Sequence, residues 1–366
     1  MMRRLFRYLE PTFFAGLIDD PCLIVRDRPI HASIMLDCGS LSHLAKREMK
    51  PVRAIFVSHA HMDHFMGFDT FLRQTHASPR QVELYGPPGI ADRVAAKLCA
   101  YDWNLTEPYW CTIRVVEVYR DRLEETVFPG PEGFPRCPAG ERPRSGRVIY
   151  CHNHLEVEAE QLDHGIPVLA FRVNERKVFA VDEEKLAGLG YAQGDWLREL
   201  KRRFFAEWPE AGPLQVLRLV GDAVRTEPVA DAADLYRQLA GAHDVASIGY
   251  LTDVGYSPEN RERMAAFLDG VRLLVSECSF LAEDLHRART SRHLATCDVN
   301  DLLARVRPAR YLPMHLSKIY LGRSPELFAQ LKPPEGTTIL RFPEHVAPRP
   351  LYACEMPSIR GGGADC

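Results

Sequence analysis

The chain of 366 residues is 46% apolar and 26% charged, with a net charge of -3. That length suffices to bury a core, and that charge excludes a globally basic nucleic-acid coat, though not a local basic patch. No apolar run reaches the ~18 residues of a membrane span, and the ten cysteines are scattered with no Cys-x-x-Cys pair, a pattern of reduced thiols in a cytosol and not of a disulfide framework.

From the N-terminus, Met1 to Leu9 carries positive charge, but Glu10-Pro11 follows where a signal peptide would place its apolar core. Two strands are expected at residues 22–25 and 33–36, the second ended by Asp37-Cys38-Gly39. A third, at 54–57, runs into Ser58-His59-Ala60-His61-Met62-Asp63-His64, and a helix begins at Thr70 to Arg73. His59 and His61 are two apart and face one side of an extended loop; Asp63 and His64 follow where the chain must turn. Imidazole and carboxylate suit zinc, iron or manganese. One divalent ion cannot easily take all four neighbours, but two adjacent ions share them, and such a pair is the usual clamp for phosphate-ester hydrolysis. The alternative is a surface loop that is merely rich in histidine.

This stretch resembles the signature of the metallo-β-lactamase superfamily. The resemblance implies an α/β fold, the αββα four-layer sandwich, with metals at one edge between the two sheets and further ligands later in the chain. It also implies that Asp37 supports the metal loop from behind the ligands. Without the resemblance, Asp37 is a plain turn aspartate.

Next come a strand at 82–85, a helix with Ile90, Val94, Ala95 and Leu98 at helical spacing, and a strand at 112–119. Residues 129–147 are rich in Pro and Gly and carry Arg136, Arg142, Arg144 and Arg147. They read as a loop or disordered insertion, whose arginines either touch RNA phosphates or are simply solvated. The next ligand falls to His164, between strands at 155–162 and 168–173, because strand ends lie at the rim of a sheet sandwich. His152 and His154 are the alternative ligands, and are otherwise expected to alternate along an exposed strand.

Asp163-His164-Gly165-Ile166-Pro167, followed by Ala170-Phe171-Arg172-Val173, is similar to a motif of the ribonuclease Z family, the tRNA 3′-end endonucleases. Residues 183–207 resemble the segment leading into that family's tRNA-holding arm. Gly194-Asp195 replaces the family's Gly-Pro pair, so the arm is short or absent and 183–207 is its remnant within a single domain spanning 1–366. Arg198, Lys201, Arg202 and Arg203 cluster there on a helix, either as a substitute phosphate-binding face or as a solvated basic face. Residues 209–244 offer one helix, at 232–240, and no chemistry.

A strand at 246–253 ends in Asp253, which matches the family's metal-bridging aspartate. A helix at 258–268 and a strand at 271–275 lead to Glu277, in Ser276-Glu277-Cys278-Ser279-Phe280, which resembles the family's His-Glu-Ala-Thr motif with two changes. His293 stands in register with a His-Ser-Thr motif. A strand at 309–313 delivers Met314-His315-Leu316-Ser317-Lys318-Ile319-Tyr320, similar to the family's His-Phe-Ser-x-x-Tyr.

The resemblance implies two divalent ions, zinc first, with manganese or iron as alternatives. It puts His59, His61 and His164 on one ion, Asp63, His64 and His315 on the other, and Asp253 between them. Asp63 would position and deprotonate the attacking water, and His293, oriented by Glu277, would protonate the leaving oxygen. A tRNA precursor as partner, a homodimer and no membrane association complete the expectation. Two rivals stand beside it. One is a hydrolase of the same fold for a small nucleotide or ester, which the short arm favours. The other is a non-enzymatic metal-bound scaffold or nucleic-acid-binding protein, which a full ligand set opposes.

Overall fold

Runs that are apolar throughout become central strands here, and runs that alternate become outer ones, because only a strand covered on both faces buries every side chain. The computed structural model describes residues 5–152, 154–176, 179–206, 208, 212–221, 223–241, 245–346, 351–352, 355–356 and 358–360. In chain order the strands begin with β1 (Leu9–Phe13), β2 (Leu23–Asp27), β3 (Ala32–Leu36), β4 (Val52–Phe56), β5 (Gln81–Gly86), β6 (Thr112–Val118), β7 (Arg122–Pro129) and β8 (Cys137–Pro143). There follow β9 (Val148–His152), β10 (Leu155–Asp163), β11 (Pro167–Glu175), β12 (Leu214–Val220), β13 (Ala223–Val229), β14 (Ser247–Leu251), β15 (Leu273–Glu277), β16 (Arg310–Met314), β17 (Thr338–Leu340), β18 (Leu351–Tyr352) and β19 (Ser358–Arg360). β3 and β15 are buried at all positions, whereas β7 and β10 alternate.

The chain forms two compact units. The first, residues 1–151, 156–174 and 246–366, holds two large sheets. One runs β18-β1-β2-β3-β4-β5-β6-β7-β8 and the other β19-β17-β16-β15-β14-β11-β10-β9. The centre of each is parallel, β3 to β6 in the first and β14 to β17 in the second. The sheets face each other through β4, where the Phe56 ring centroid lies 5.6 Å from Phe171 and 5.5 Å from Tyr150. The alternate residue Ile55 points the other way. It joins Leu84 and Val115 against Phe68, Phe71, Val94 and Leu98 of two helices, Phe68–Thr75 and Ile90–Cys99. On the second sheet, Gly249 of β14 leaves room for Leu268 of helix Pro258–Leu268, since an added Cβ would lie 2.7 Å from it. Helix Thr296–Val306 packs beside that one. The layers are thus helix, sheet, sheet, helix, as the resemblance implies. No helix among the described residues is long and apolar enough to cross a membrane.

The second unit comprises residues 152–155 and 175–245. Its helices Glu183–Gly188, Trp196–Phe205 and Ala232–Leu239 enclose a small core with the β12–β13 hairpin, through Leu186, Trp196, Leu200, Val216, Leu235 and Leu239. Glu207, the last residue of the 183–207 stretch, lies outside the described residues, as do 209–211, 222 and 242–244 of the stretch after it.

Two expectations are corrected. Residues 129–147 are not simply a loop: after a short turn at Gly130–Glu132 they form β8, paired antiparallel to β7. Pro138, Gly140 and Pro143 read as breakers, but an edge strand needs backbone donors on one side only. A register shift beside Glu125 accommodates Gly140, at φ 106°. The arginines are engaged within the fold: Arg136 with Asp92, Arg142 with Glu125, Arg147 with Glu160, and Arg144 with the Tyr119 carbonyl. Nor do His152 and His154 alternate on an exposed strand. His152 ends β9, while His154 lies beyond it, buried, its ring 4.3 Å from that of Phe205.

Candidate metal centre

The histidine-rich stretch leaves β4 at its C-terminal end, the end of a parallel sheet where side chains converge on ligands. His61 caps a single helical turn, Met62–Phe65, which carries Asp63 and His64. The Asp37-Cys38-Gly39 turn is laced onto this loop. Cys38 N–H donates to the His64 carbonyl at 2.9 Å, and Gly67 N–H donates to the Cys38 carbonyl at 2.8 Å. The backbones touch so closely that a Cβ on Gly39 would lie 2.2 Å from the Asp63 carbonyl oxygen.

Asp37 holds a left-handed backbone, φ 52°, uncommon for a residue with a Cβ. Its buried carboxylate accepts from Ser58 N–H (2.7 Å), Ser58 Oγ (2.9 Å), His64 Nδ1 (2.9 Å) and Tyr250 OH (3.1 Å). That fixes the His64 ring with Nε2 turned to the centre, the arrangement by which carboxylates orient metal-binding histidines.

The other side chains arrive from the second sheet. His164 follows β10 and donates Nδ1–H to the Arg292 carbonyl at 2.8 Å. Asp253 follows β14, Glu277 ends β15, and His315 follows β16 at φ 58°. Asp253 lies at the middle, 2% exposed. Its Oδ2 is 3.6 Å from His59 Nε2, 3.4 Å from His64 Nε2 and 3.9 Å from His164 Nε2. Its Oδ1 is 3.4 Å from His315 Nδ1 and 3.8 Å from His293 Nδ1. Asp63 Oδ2 lies 3.0 Å from His315 Nε2 and 3.7 Å from His64 Nε2.

Ligand atoms fall into overlapping groups, within 4.8 Å of one another: His59, His61, His164 and Asp253; Asp63, His64 and His315; and Asp253, Glu277, His293 and His315. In the last, Glu277 is already satisfied. It accepts from Val254 N–H at 2.7 Å, Ser279 Oγ at 2.6 Å, Leu294 N–H at 3.2 Å and His293 Nδ1 at 3.0 Å. Glu277 therefore orients His293.

The residues fit divalent cations. His59 Nε2, His64 Nε2 and Asp253 Oδ1 are buried with no hydrogen-bond partner among the described residues. Buried polar atoms are rarely left so, because desolvation is costly. A cation would supply the missing partner to all three. The protonation pattern agrees. Burial, then His64, pushes His59 down to about 2, and burial also lowers His164, so both rings are neutral donors. Burial opposes a proton on His64, but Asp253 and Asp37 on either side raise its pKa well above the ordinary value. When bound, a cation beside Nε2 would take the place of that proton. Burial alone would raise Asp253, yet His315, His64 and His293 hold it far below the carboxylate range. Asp63 is likewise lowered, burial being outweighed by its hydrogen bond from His315. Burial works against a proton on His293, but Glu277 prevails and its pKa rises to about 9.

All nine expected metal-ligand and catalytic residues, His59, His61, Asp63, His64, His164, Asp253, Glu277, His293 and His315, therefore converge. The expected phosphate-binding face does not assemble in full. Arg198, Lys201 and Arg202 are exposed on helix Trp196–Phe205, but Arg203 is turned inward, donating to Glu199 at 2.9 Å and the Gly212 carbonyl at 2.8 Å. Arg202 pairs with Glu199 at 2.6 Å and Arg198 with Asp195 at 3.2 Å. Sequence reasoning missed Ser58, Tyr250, Ser279 and Arg292. Ser58 and Ser279 lie inside motifs already singled out; Tyr250 hides in an apolar run, where no local signal marks it.

Residues 35–149 match the family model described as the beta-lactamase superfamily domain. Over 291 residues the chain is 32% identical to ribonuclease Z of Deinococcus radiodurans, covering 78% of this chain and 83% of that protein. Over 300 residues it is 24% identical to ribonuclease Z of Anoxybacillus flavithermus, covering 80% and 78%. The crystal structure of human tRNase Z, short form, superposes with a TM-score of 0.48 at 14% identity, covering 85% of this chain and 94% of that one. With a sandwich edge that gathers these histidines and carboxylates, and a relative this similar over most of both lengths, the chain belongs to the ribonuclease Z family, metal-dependent hydrolases on the metallo-β-lactamase fold.

Proposed function

We propose that this protein removes the 3′ trailer of tRNA precursors by phosphodiester hydrolysis at a two-metal centre. The observation that carries the reading is the single buried carboxylate of Asp253, flanked by His59, His64 and His164 on one oxygen and by His293 and His315 on the other. His59, His61 and His164 would hold one ion and Asp63, His64 and His315 the second, with Asp253 shared. The nitrogen-rich set suits zinc first, and manganese or iron as alternatives. When bound, the ions would stabilise charge on the phosphoryl oxygens and lower the pKa of a shared water.

The chain's own groups do the rest. Asp63, kept ionised by His315, orients the attacking water and accepts its proton. The water oxygen bonds to phosphorus as the phosphorus–oxygen bond to the leaving group breaks. His293, held protonated by Glu277, gives its proton to the leaving oxygen. An open cavity of about 430 Å³, lined by Asp20, Ser40, Lys318 and Leu321, has room for a nucleotide. Its lining residue Ser40 follows Gly39, where an added Cβ would lie 2.6 Å from Asp20 Cβ and 2.2 Å from the Asp63 carbonyl oxygen, so one wall of the cavity runs close to the backbone of the metal loop. In this reading the protein works as a homodimer in the cytoplasm, where the described cysteines, all unpaired, stay reduced.

A second reading, a hydrolase for a small nucleotide or ester, draws on the basic helix, whose arginines are partly neutralised by Glu199 and Asp195. One assay separates the two. A tRNA precursor with a 3′ trailer and bis(p-nitrophenyl) phosphate are offered to the same preparation. The first reading expects the trailer released as one fragment. An intact trailer alongside rapid turnover of the small diester would leave only the second.

A further inference from the structure

We propose that Arg292 is a phosphate-binding residue beside the metal centre, one that grips the phosphate next to the scissile one on the His164 side. The inference rests on the phosphodiesterase reading above and names how the site holds a chain with more than one phosphate. Arg292 stands between the two catalytic surroundings: it precedes His293, and its carbonyl accepts from His164 Nδ1 at 2.8 Å. To point that carbonyl inward it adopts a left-handed backbone, φ 58°, ψ 45°, at the end of helix Leu285–Ser291. Glycine suits that conformation better than any other residue. The carbonyl alone therefore does not call for an arginine.

The side chain is exposed and held in readiness. Arg292 Nη1 donates to Asp163 Oδ2 at 2.9 Å, with the two side chains 51% and 63% exposed. Among the described residues Asp163 is its hydrogen-bonding partner, which leaves most of the five guanidinium donors open. Asp163 is itself anchored, its Oδ1 accepting from Gly165 N–H at 3.0 Å. Gly165, at φ 84°, lets the guanidinium lie against the backbone beside His164: a Cβ there would come within 3.3 Å of Arg292 Cδ, Cζ and Nη1. A planar cation lying open beside a metal ligand, with one solvent-weakened carboxylate partner, is built for exchange. An exposed pair of this kind is held weakly, whereas a guanidinium–phosphate fork is short and bidentate.

The test measures how well a single-stranded oligoribonucleotide inhibits turnover of bis(p-nitrophenyl) phosphate, a diester with no neighbouring phosphate. The holoenzyme, Arg292→Gln, Arg292→Lys and Asp163→Asn are compared, each against its own small-diester baseline and its own metal content. Arg292→Gln should weaken inhibition by about tenfold or more, the worth of a hydrogen bond to a charged group, and flatten the salt dependence of binding by about 0.7. Arg292→Lys should recover part of the loss, as a point charge in place of a fork. Asp163→Asn should keep or tighten inhibition, because it frees the guanidinium. If Arg292→Gln and Asp163→Asn weaken inhibition equally, or both shed metal, the pair is only a strut and the proposal is wrong. Inhibition unchanged in Arg292→Gln overturns it too. A wild type that binds the oligoribonucleotide through Arg292 yet spares the tRNA trailer would instead remove the tRNA reading and leave this inference standing.

Discussion

Asp253 is one side chain that two clusters share. Its two oxygens face different histidines, at 3.4–3.9 Å, and almost no water reaches it. An unpartnered carboxylate so deeply buried would be costly, so in the two-metal reading bound cations and Asp253 would stabilise each other. Asp253→Ala should therefore lose both metals from a holoprotein that carries close to two per chain, read by elemental analysis. His293 sits differently, its Nδ1 tied to Glu277. His293→Ala should keep both metals and lose turnover by ~10²–10⁴, the usual contribution of a general acid. One full equivalent of metal left in Asp253→Ala would sink the bridge, and metal loss in His293→Ala would make that histidine a ligand.

The Asp37-Cys38-Gly39 turn shows how a short connection governs a distant cluster. Its aspartate ties β3 to the metal loop after β4 and to Tyr250 of β14. Asp37→Ala would strand Ser58 N–H, His64 Nδ1 and Tyr250 OH without their acceptor in a dry interior. Metal affinity should fall ~10–100-fold, as it does when the groups behind metal-binding histidines are removed, in a chelator competition. Unaltered affinity would reduce Asp37 to a turn residue. β8 makes a related point about local chemistry. Prolines that would break a central strand are tolerated at the sheet's edge, and its arginines join ion pairs there without a ligand.

The molecule carries its metal centre in one unit and its most basic helix in another with a core of its own. If that helix holds RNA, Arg198, Lys201 and Arg202 do so through phosphates, which carry affinity and not sequence choice. Converting the three to Ala should flatten the slope of log affinity for tRNA against log salt by up to ~2. Arg203 stays in such a variant, since it is buried and holds the Gly212 carbonyl. Turnover of a small diester provides the control for folding. A slope that does not move would mark a solvated face and advance the small-substrate reading.

The strands and the histidine loop were legible in the sequence because their determinants are local, whereas the layered arrangement was implied only by the family resemblance those residues carry. Apolar runs mark strands wherever they lie, and a metal loop must place His59, His61, Asp63 and His64 within a few residues. Asp253, Glu277, His293 and His315 could be named only through their likeness to ribonuclease Z motifs in the same order, since each taken singly reads as an ordinary residue at a strand or helix end. What only the tertiary structure decided is which distant groups meet. Tyr250 and Asp37 are 213 positions apart, and nothing in either neighbourhood announces the bond. Arg203 looked like its neighbours until a core turned it inward, and His154 like a surface residue until Phe205 covered it. Burial and partnership depend on strand order and on what packs from elsewhere in the chain, and periodicity along a segment holds no record of either.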